Sequence, residues 1–224
     1  MEQQHKLDLG NKILIKCFGS CRLEPLHNNF NLGSLDINKS IMYSWSTKEI
    51  LMGINYLKNN NSINNYIGPT KYFGFLENQQ NILKYEFLKA NAFIIEISSN
   101  KAFKCKDKRF WRDFETNYNG LQVYEIDREE TKKDMIDIIN QLYPRPVLFV
   151  THICTFNYGD RFKYKEIIID VAKEIGANYF DPSEVFMGYN SNTLLLDKDH
   201  LTDFAKDILS EEYKKIVNKV FKTS

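Results

Sequence analysis

The chain has 224 residues, 43% hydrophobic and 14% aromatic, and its 30 Lys and Arg nearly balance 29 Asp and Glu. That length suits one α/β domain or two very small ones, and a near-neutral chain without a basic stripe carries no electrostatic footprint for nucleic acid. No apolar run approaches the roughly 18 residues of a transmembrane helix, and no apolar segment behind the N-terminus is long enough for a signal peptide, so no membrane association and a cytoplasmic setting are expected.

The four cysteines, Cys17, Cys21, Cys105 and Cys154, match no paired zinc-binding spacing. No metal is expected, and in a reducing compartment the thiols should be free.

Residues 1–10 are polar and read as an arm. An apolar run then predicts a first strand over Lys12–Phe18, a small-residue turn over Gly19–Arg22 and a short helix over Leu23–Asn29, with Pro25 tolerated in its first turn. A strand that stops at such a turn lifts a nucleophile-type side chain out of a sheet, and a helix start behind it can hold an anion. Loop and a short second strand are expected over Phe30–Ser40. Ser46-Thr47-Lys48-Glu49 is a capping box, and Ile50, Leu51, Ile54 and Leu57 carry its helix to about Lys58.

The Asn-rich run Asn59–Asn65 reads as a solvated loop, with a helix over about Glu77–Leu88. Ala92–Ile97 is the clearest strand, short, apolar and followed by Ser98-Ser99-Asn100. Residues 101–120, charged and aromatic with Trp111 and Phe114, suggest an insertion or a hairpin over the sheet edge. Arg128–Leu142 has an amphipathic helical pattern with Met135, Ile138, Ile139 and Leu142 on one face.

Pro146–Val150 is another apolar strand, ending at Thr151-His152. A helix over Tyr164–Ile175 stops at Gly176, and a short strand follows over Asn178–Pro182. Ser183–Thr193 reads as loop. Leu194–His200 leads into a last helix over about Thr202–Phe221.

The strand–helix alternation predicts a three-layer α/β/α sandwich with a mainly parallel sheet, taken as a single domain over 1–224. Ligands of such sheets bind at the carboxyl ends of strands, where Cys21, Asn100, His152 and His200 would converge.

Three elements, in order, resemble those of the SGNH (GDSL-type) hydrolase superfamily, with its flavodoxin-like sheet. Gly19-Ser20-Cys21-Arg22 stands where that family has Gly-Asp-Ser-Leu. Ser98-Ser99-Asn100-Lys101 stands where it has Gly-x-Asn-Asp. Asp197-Lys198-Asp199-His200 stands where it has Asp-x-x-His before the last helix. The register puts Cys21 at the nucleophile, which is similar to the Cys-bearing GSCFA-type proteins and to capsule-polysaccharide acetyltransferases with a Gly-Asn-Cys-Gln element. No second-block glycine is found; Ser44 and Ser46 are the positional candidates.

The resemblance implies a triad of Cys21, His200 and Asp197, with Asn100, the Cys21 backbone N–H and Ser44 or Ser46 as oxyanion donors. Ser20, Arg22 and His152 are candidates for contacting substrate or cofactor. It further implies acetyl-CoA as donor and a small-molecule, sugar-nucleotide or polysaccharide acceptor. A helix N-terminus or a neighbouring imidazole should lower the Cys21 thiol. An esterase or deacetylase of the same fold, and a non-catalytic binding module on the scaffold, are the alternative readings.

Overall fold

The computed structural model describes residues 13–34, 40–58, 66–67, 77–105, 108–110, 122–154, 158–197 and 200–221. The N-terminal arm, the Asn59–Asn65 run, Trp111, Phe114, Lys198 and Asp199 lie outside the described residues.

Five strands form the central sheet: β1 (Ile15–Gly19), β2 (Ile41–Tyr43), β4 (Ala92–Ile97), β8 (Val147–Thr151) and β9 (Asn178–Phe180). Their order is β2-β1-β4-β8-β9 and every pairing is parallel. This is the flavodoxin-like doubly wound order, whose chain reverses direction between β1 and β4. Registers such as Phe18 opposite Ile95 and Ile97 opposite Thr151 bring the carboxyl ends of β1, β4 and β8 to one edge.

Alternation along β4 divides the core. Phe93, Ile95 and Ile97 face one layer, formed by α1 (Thr47–Lys58), α2 (Glu77–Lys89), α3 (Arg128–Leu142) and α4 (Asp160–Glu174). Ala92 and Ile94 face the other, formed by a 3₁₀ helix (Cys21–Asn28) and the last helix, with the short α5 (Pro182–Val185) and α6 (Ser191–Leu194) beside it. That last helix, α7 (Asp203–Phe221), buries Ala205, Leu209, Tyr213 and Val217 at the i, i+4 spacing of one stripe. Full burial of each large apolar side chain contributes about 1.5–3 kcal/mol.

A second sheet of order β3-β6-β5-β7 contains β3 (Tyr66–Ile67), β5 (Lys101–Cys105), β6 (Lys108–Phe110) and β7 (Gln122–Glu125). The antiparallel β5–β6 pair is the hairpin suggested over 101–120.

Several expected boundaries move. The second strand is Ile41–Tyr43, just beyond the predicted Phe30–Ser40 stretch, and the segment after the first turn is 3₁₀ rather than α-helical. Helix α4 starts at Asp160, four residues before its first buried residue, Tyr164. The predicted loop Ser183–Thr193 holds most of two four-residue helices, each capped by an Asx side chain, Asp181 and Asn190. The capping box stands as read: Glu49 Oε2 accepts from the N–H of Ser46 at 3.1 Å and Ser46 Oγ accepts from the N–H of Glu49 at 3.4 Å.

Candidate active site

At the end of β1, Gly19 has φ +153° and lies against β4; a Cβ on it would stand 2.6 Å from Glu96 Cβ. Only a residue without a side chain lets the turn settle this close to the neighbouring strand. Ser20 then caps the 3₁₀ helix, its hydroxyl accepting from the Arg22 N–H at 3.3 Å, and Cys21 is the first helical residue. The turn thus places Cys21 beside the β1/β4 reversal, and Asn100, three residues past β4, on the other side of it.

Beneath the turn lies a buried polar cluster. Glu96 Oε2 accepts from the Ser20 N–H at 2.8 Å and from the Ser20 hydroxyl at 2.6 Å. Glu96 Oε1 lies 3.2 Å from His152 Nδ1, Arg22 Nη1 lies 3.2 Å from the same nitrogen, and Arg161 Nη1 lies 3.3 Å from His152 Nε2. One tautomer satisfies most of these contacts. A neutral ring with the proton on Nδ1 donates to Glu96 and accepts from Arg161 at Nε2; Arg22 then contributes its charge rather than a hydrogen bond to the ring.

The electrostatics agree. Burial would raise the Glu96 carboxyl, but the hydrogen bond from His152, then the Arg22 charge and the Ser20 hydrogen bond, outweigh it and hold Glu96 below its ordinary range. Burial pushes the His152 imidazole down, and Arg22 and Arg161 push the same way against Glu96. The stable state is therefore carboxylate with neutral imidazole.

Ser20, Arg22 and His152, candidates for contacting substrate, are all buried, with 5–6% exposure. Their polar groups meet one another and Glu96 rather than open solvent. Glu96 itself is a site residue that motif reading passed over. Its signal was an acidic residue inside the apolar run Ala92–Ile97.

The second grouping is Asp197 with His200. Asp197 Oδ2 is 2.7 Å from His200 Nδ1, and Oδ1 accepts from the His200 N–H at 2.9 Å. One carboxylate thus fixes both the ring and the backbone, leaving Nε2 as the outward nitrogen. Both side chains are more than half exposed. The loop that carries them is closed by Leu196 N–H to His200 O and Thr202 N–H to Leu194 O, each 2.9 Å.

Helix α7 then packs on the 3₁₀ helix, with Lys206 Nζ 3.7 Å from Glu24 and the Asn29 side-chain amide donating to Ser210 Oγ at 2.8 Å. This packing sets the start of α7, three residues past His200, near the 3₁₀ helix that Cys21 opens. Among the described residues no hydrogen bond joins Cys21 to His200.

The Cys21 thiol is raised, not lowered. Burial is the main cause and Glu24 the next; Arg22 and the residue's own backbone N–H only partly oppose them. The expected thiolate is corrected accordingly: Cys21 rests as a thiol. The N–H of Ser44 donates to Gly19 O at 3.0 Å and that of Ser46 to Glu49, so both second-block donors are engaged within the fold.

Asn100 lines a cleft of about 430 Å³ with Ser98, Ser99 and Lys101, faced by Tyr158–Arg161 and Tyr164. The Ser98 and Ser99 N–H groups both donate to Trp45 O at 2.9 Å, and Asn100 O accepts from Ile126 N–H at 2.7 Å, which fixes this loop on two sides.

Residues 107–219 match the family described as the TviD N-terminal domain. The matched segment contains His152, Asp197 and His200; Cys21 and Glu96 precede it. No curated protein matches the chain. Among solved structures, the chain is similar to the Clostridium thermocellum family 3 carbohydrate esterase, with 13% identity, a TM-score of 0.54 and coverage of 94% of this chain and 97% of that one. At that identity the likeness is one of fold, an α/β/α sandwich on a parallel sheet.

Proposed function

The chain belongs to the TviD N-terminal domain family, and from that premise we propose that it is an acyl-handling enzyme of SGNH-like fold that modifies a carbohydrate, transferring acetyl from acetyl-CoA through Cys21. The observation that carries this reading is the Asp197–His200 pair, on the loop that leads into α7, which packs on the 3₁₀ helix that Cys21 opens.

His200 Nε2 takes the Cys21 proton as the sulfur attacks the donor carbonyl. The carbon–sulfur bond to CoA breaks, and CoA leaves with that proton. An acceptor hydroxyl or amine then gives its proton to His200 and attacks the Cys21 thioester, and the proton returns to the departing Cys21 sulfur. The raised Cys21 thiol makes this transfer a step of the reaction rather than a resting ion pair. Asn100 and the Cys21 N–H would hold the oxyanion, one such donor being worth roughly 3–4 kcal/mol of barrier. Lys101 and Arg161, on the cleft beside Asn100, offer cations for the donor's phosphates.

Exposure favours a second reading. Side-chain exposures of 61% and 55% at His200 and Asp197 leave water free access to a thioester, as an esterase or deacetylase would need.

Incubation with acetyl-CoA, followed by peptide mass spectrometry, should show acetyl on Cys21 or acceptor-dependent release of CoA. Turnover of p-nitrophenyl acetate without CoA, lost in His200→Ala, marks the esterase. Unchanged activity in Cys21→Ala overturns the Cys21 mechanism in either form.

A further inference from the structure

We propose that Glu96 is a positioning residue that locks the Cys21 turn with one carboxylate oxygen and, through His152, holds Arg161 at the cleft with the other. The inference rests on Cys21 being the reacting group.

Three independent features carry it. The turn lies directly on Glu96, since Gly19 has no room for a Cβ there. Oε2 receives both donors of Ser20, the residue before Cys21. Oε1 faces His152 Nδ1, whose other nitrogen faces Arg161, a residue of the cleft that holds Asn100.

Of the other buried carboxylates, Glu86, Asp134 and Asp181 each meet a lysine, as structural ion pairs do, and Glu49 accepts from the Trp45 and Ser46 N–H groups of its helix start. Glu96 meets no lysine among the described residues. Its partners are the groups of a turn and an imidazole. A neutral amide at this position could accept from Ser20 or from His152 through one oxygen, but its nitrogen would oppose the other donor. The carboxylate is thus the group that can serve both sides at once.

The charged and titratable groups around this centre are Arg22, Glu24 and Cys21 on the 3₁₀ helix, Tyr43 at the end of β2, Arg161 on α4 and Tyr213 on α7. Glu96→Gln removes one negative charge facing Cys21 and leaves Glu24 and Arg22 in place. The rate of Cys21 alkylation by iodoacetamide, followed by peptide mass spectrometry, should therefore rise at lower pH than in the unaltered protein. The ring nitrogens of His152, followed by ¹⁵N NMR, should lose their pure Nδ1–H pattern. Acyl transfer should fall about 100-fold in kcat, the scale expected when a reacting group is displaced by about an ångström.

A folded Glu96→Gln protein with unchanged alkylation profile and unchanged His152 nitrogens overturns the proposal. Should that variant not fold, Ser20→Ala and His152→Gln divide the test. Ser20→Ala should alter Cys21 alkylation while His152 keeps its tautomer, and His152→Gln should raise KM; no change in either variant overturns the proposal. Activity that survives in Cys21→Ala removes the nucleophile reading alone, because alkylation and NMR still report on the lock.

Discussion

Glu96 Oε2 accepts both hydrogen bonds that Ser20 can donate, from its N–H at 2.8 Å and its hydroxyl at 2.6 Å. Ser20 takes the position that is Asp in the hydrolase motif, and its hydroxyl points down into the sheet rather than out to a substrate. The neighbouring Cys21 is the partly exposed group of the turn. The hydrogen bonds therefore engage Ser20 within the fold and leave Cys21 as the partly exposed side chain of the turn.

Gly19→Ala should break this turn. The added Cβ would stand 2.6 Å from Glu96 Cβ and 2.8 Å from Leu23 Cδ1, on backbone at φ +153°. Overpacking of this kind costs about 1–3 kcal/mol, and the displaced turn should lose most activity even in protein that remains folded. Urea unfolding and an acyl-transfer assay on the same sample separate the two losses. Unchanged stability and activity would contradict the close approach.

Asp134 makes a different kind of test, far from any reacting group. It accepts from Thr47 Oγ1 at 2.5 Å and from Lys48 Nζ at 2.7 Å, tying α1 to α3 in a buried pair. Asp134→Ala removes the buried partner and leaves Lys48 with the partly exposed Glu130. A loss of about 3–5 kcal/mol is expected for breaking a buried pair from one side, measured by denaturant unfolding, with little change in KM. A loss below about 1 kcal/mol would show that Glu130 suffices.

Acidification should destabilise the fold in two stages. His152, held down chiefly by burial, is neutral when folded, whereas its ordinary value is 6.5. The unfolded chain then binds the extra proton first, so this contribution is complete above about pH 6.5 and declines below it. Glu96 and Glu86 are held below their ordinary 4.5, burial being outweighed by His152 in the first case and by Lys16 in the second. Their contribution is present above about pH 4.5 and is lost on further acidification. The Tm-against-pH curve should be flat between about pH 7 and 8 and show both declines on acidification, and His152→Gln should remove the upper one. A curve that does not change between pH 7 and 5 would contradict the neutral buried imidazole.

The chain's own pattern made the frame readable where the signal is dense. Ala92–Ile97 and Val147–Thr151 are apolar runs that only a buried strand uses well, and Ser46–Glu49 declares a helix start in four residues. It misplaced or missed the elements that are too short to show a period. Ile41–Tyr43 has three residues, and the two helices between Asp181 and Leu195 have four each. The site divided in the same way. Asp197 and His200 are three residues apart, so local chemistry joins them. Ser20 and Glu96 are separated by 76 positions, and only the β1–β4 pairing brings them together. A charge inside an apolar strand announces that a partner exists without saying which residue it is.

Asp197→Asn separates the orienting role of the carboxylate from its packing. The substitution keeps shape but turns an acceptor toward a donor, so His200 loses the partner that fixes its proton on Nδ1. Because both side chains are largely exposed, stability should change by less than about 0.5 kcal/mol. Activity should fall about 10²–10⁴-fold, as when an orienting carboxylate is replaced in a triad. The Cys21 thiol is raised above its ordinary 9.0, chiefly by burial, so the variant cannot fall back on a pre-formed thiolate at neutral pH. Its residual rate should climb as the pH rises toward the thiol's own ionisation, more steeply than that of the unaltered protein. Parallel pH profiles of the two proteins would show that His200 does not take the Cys21 proton.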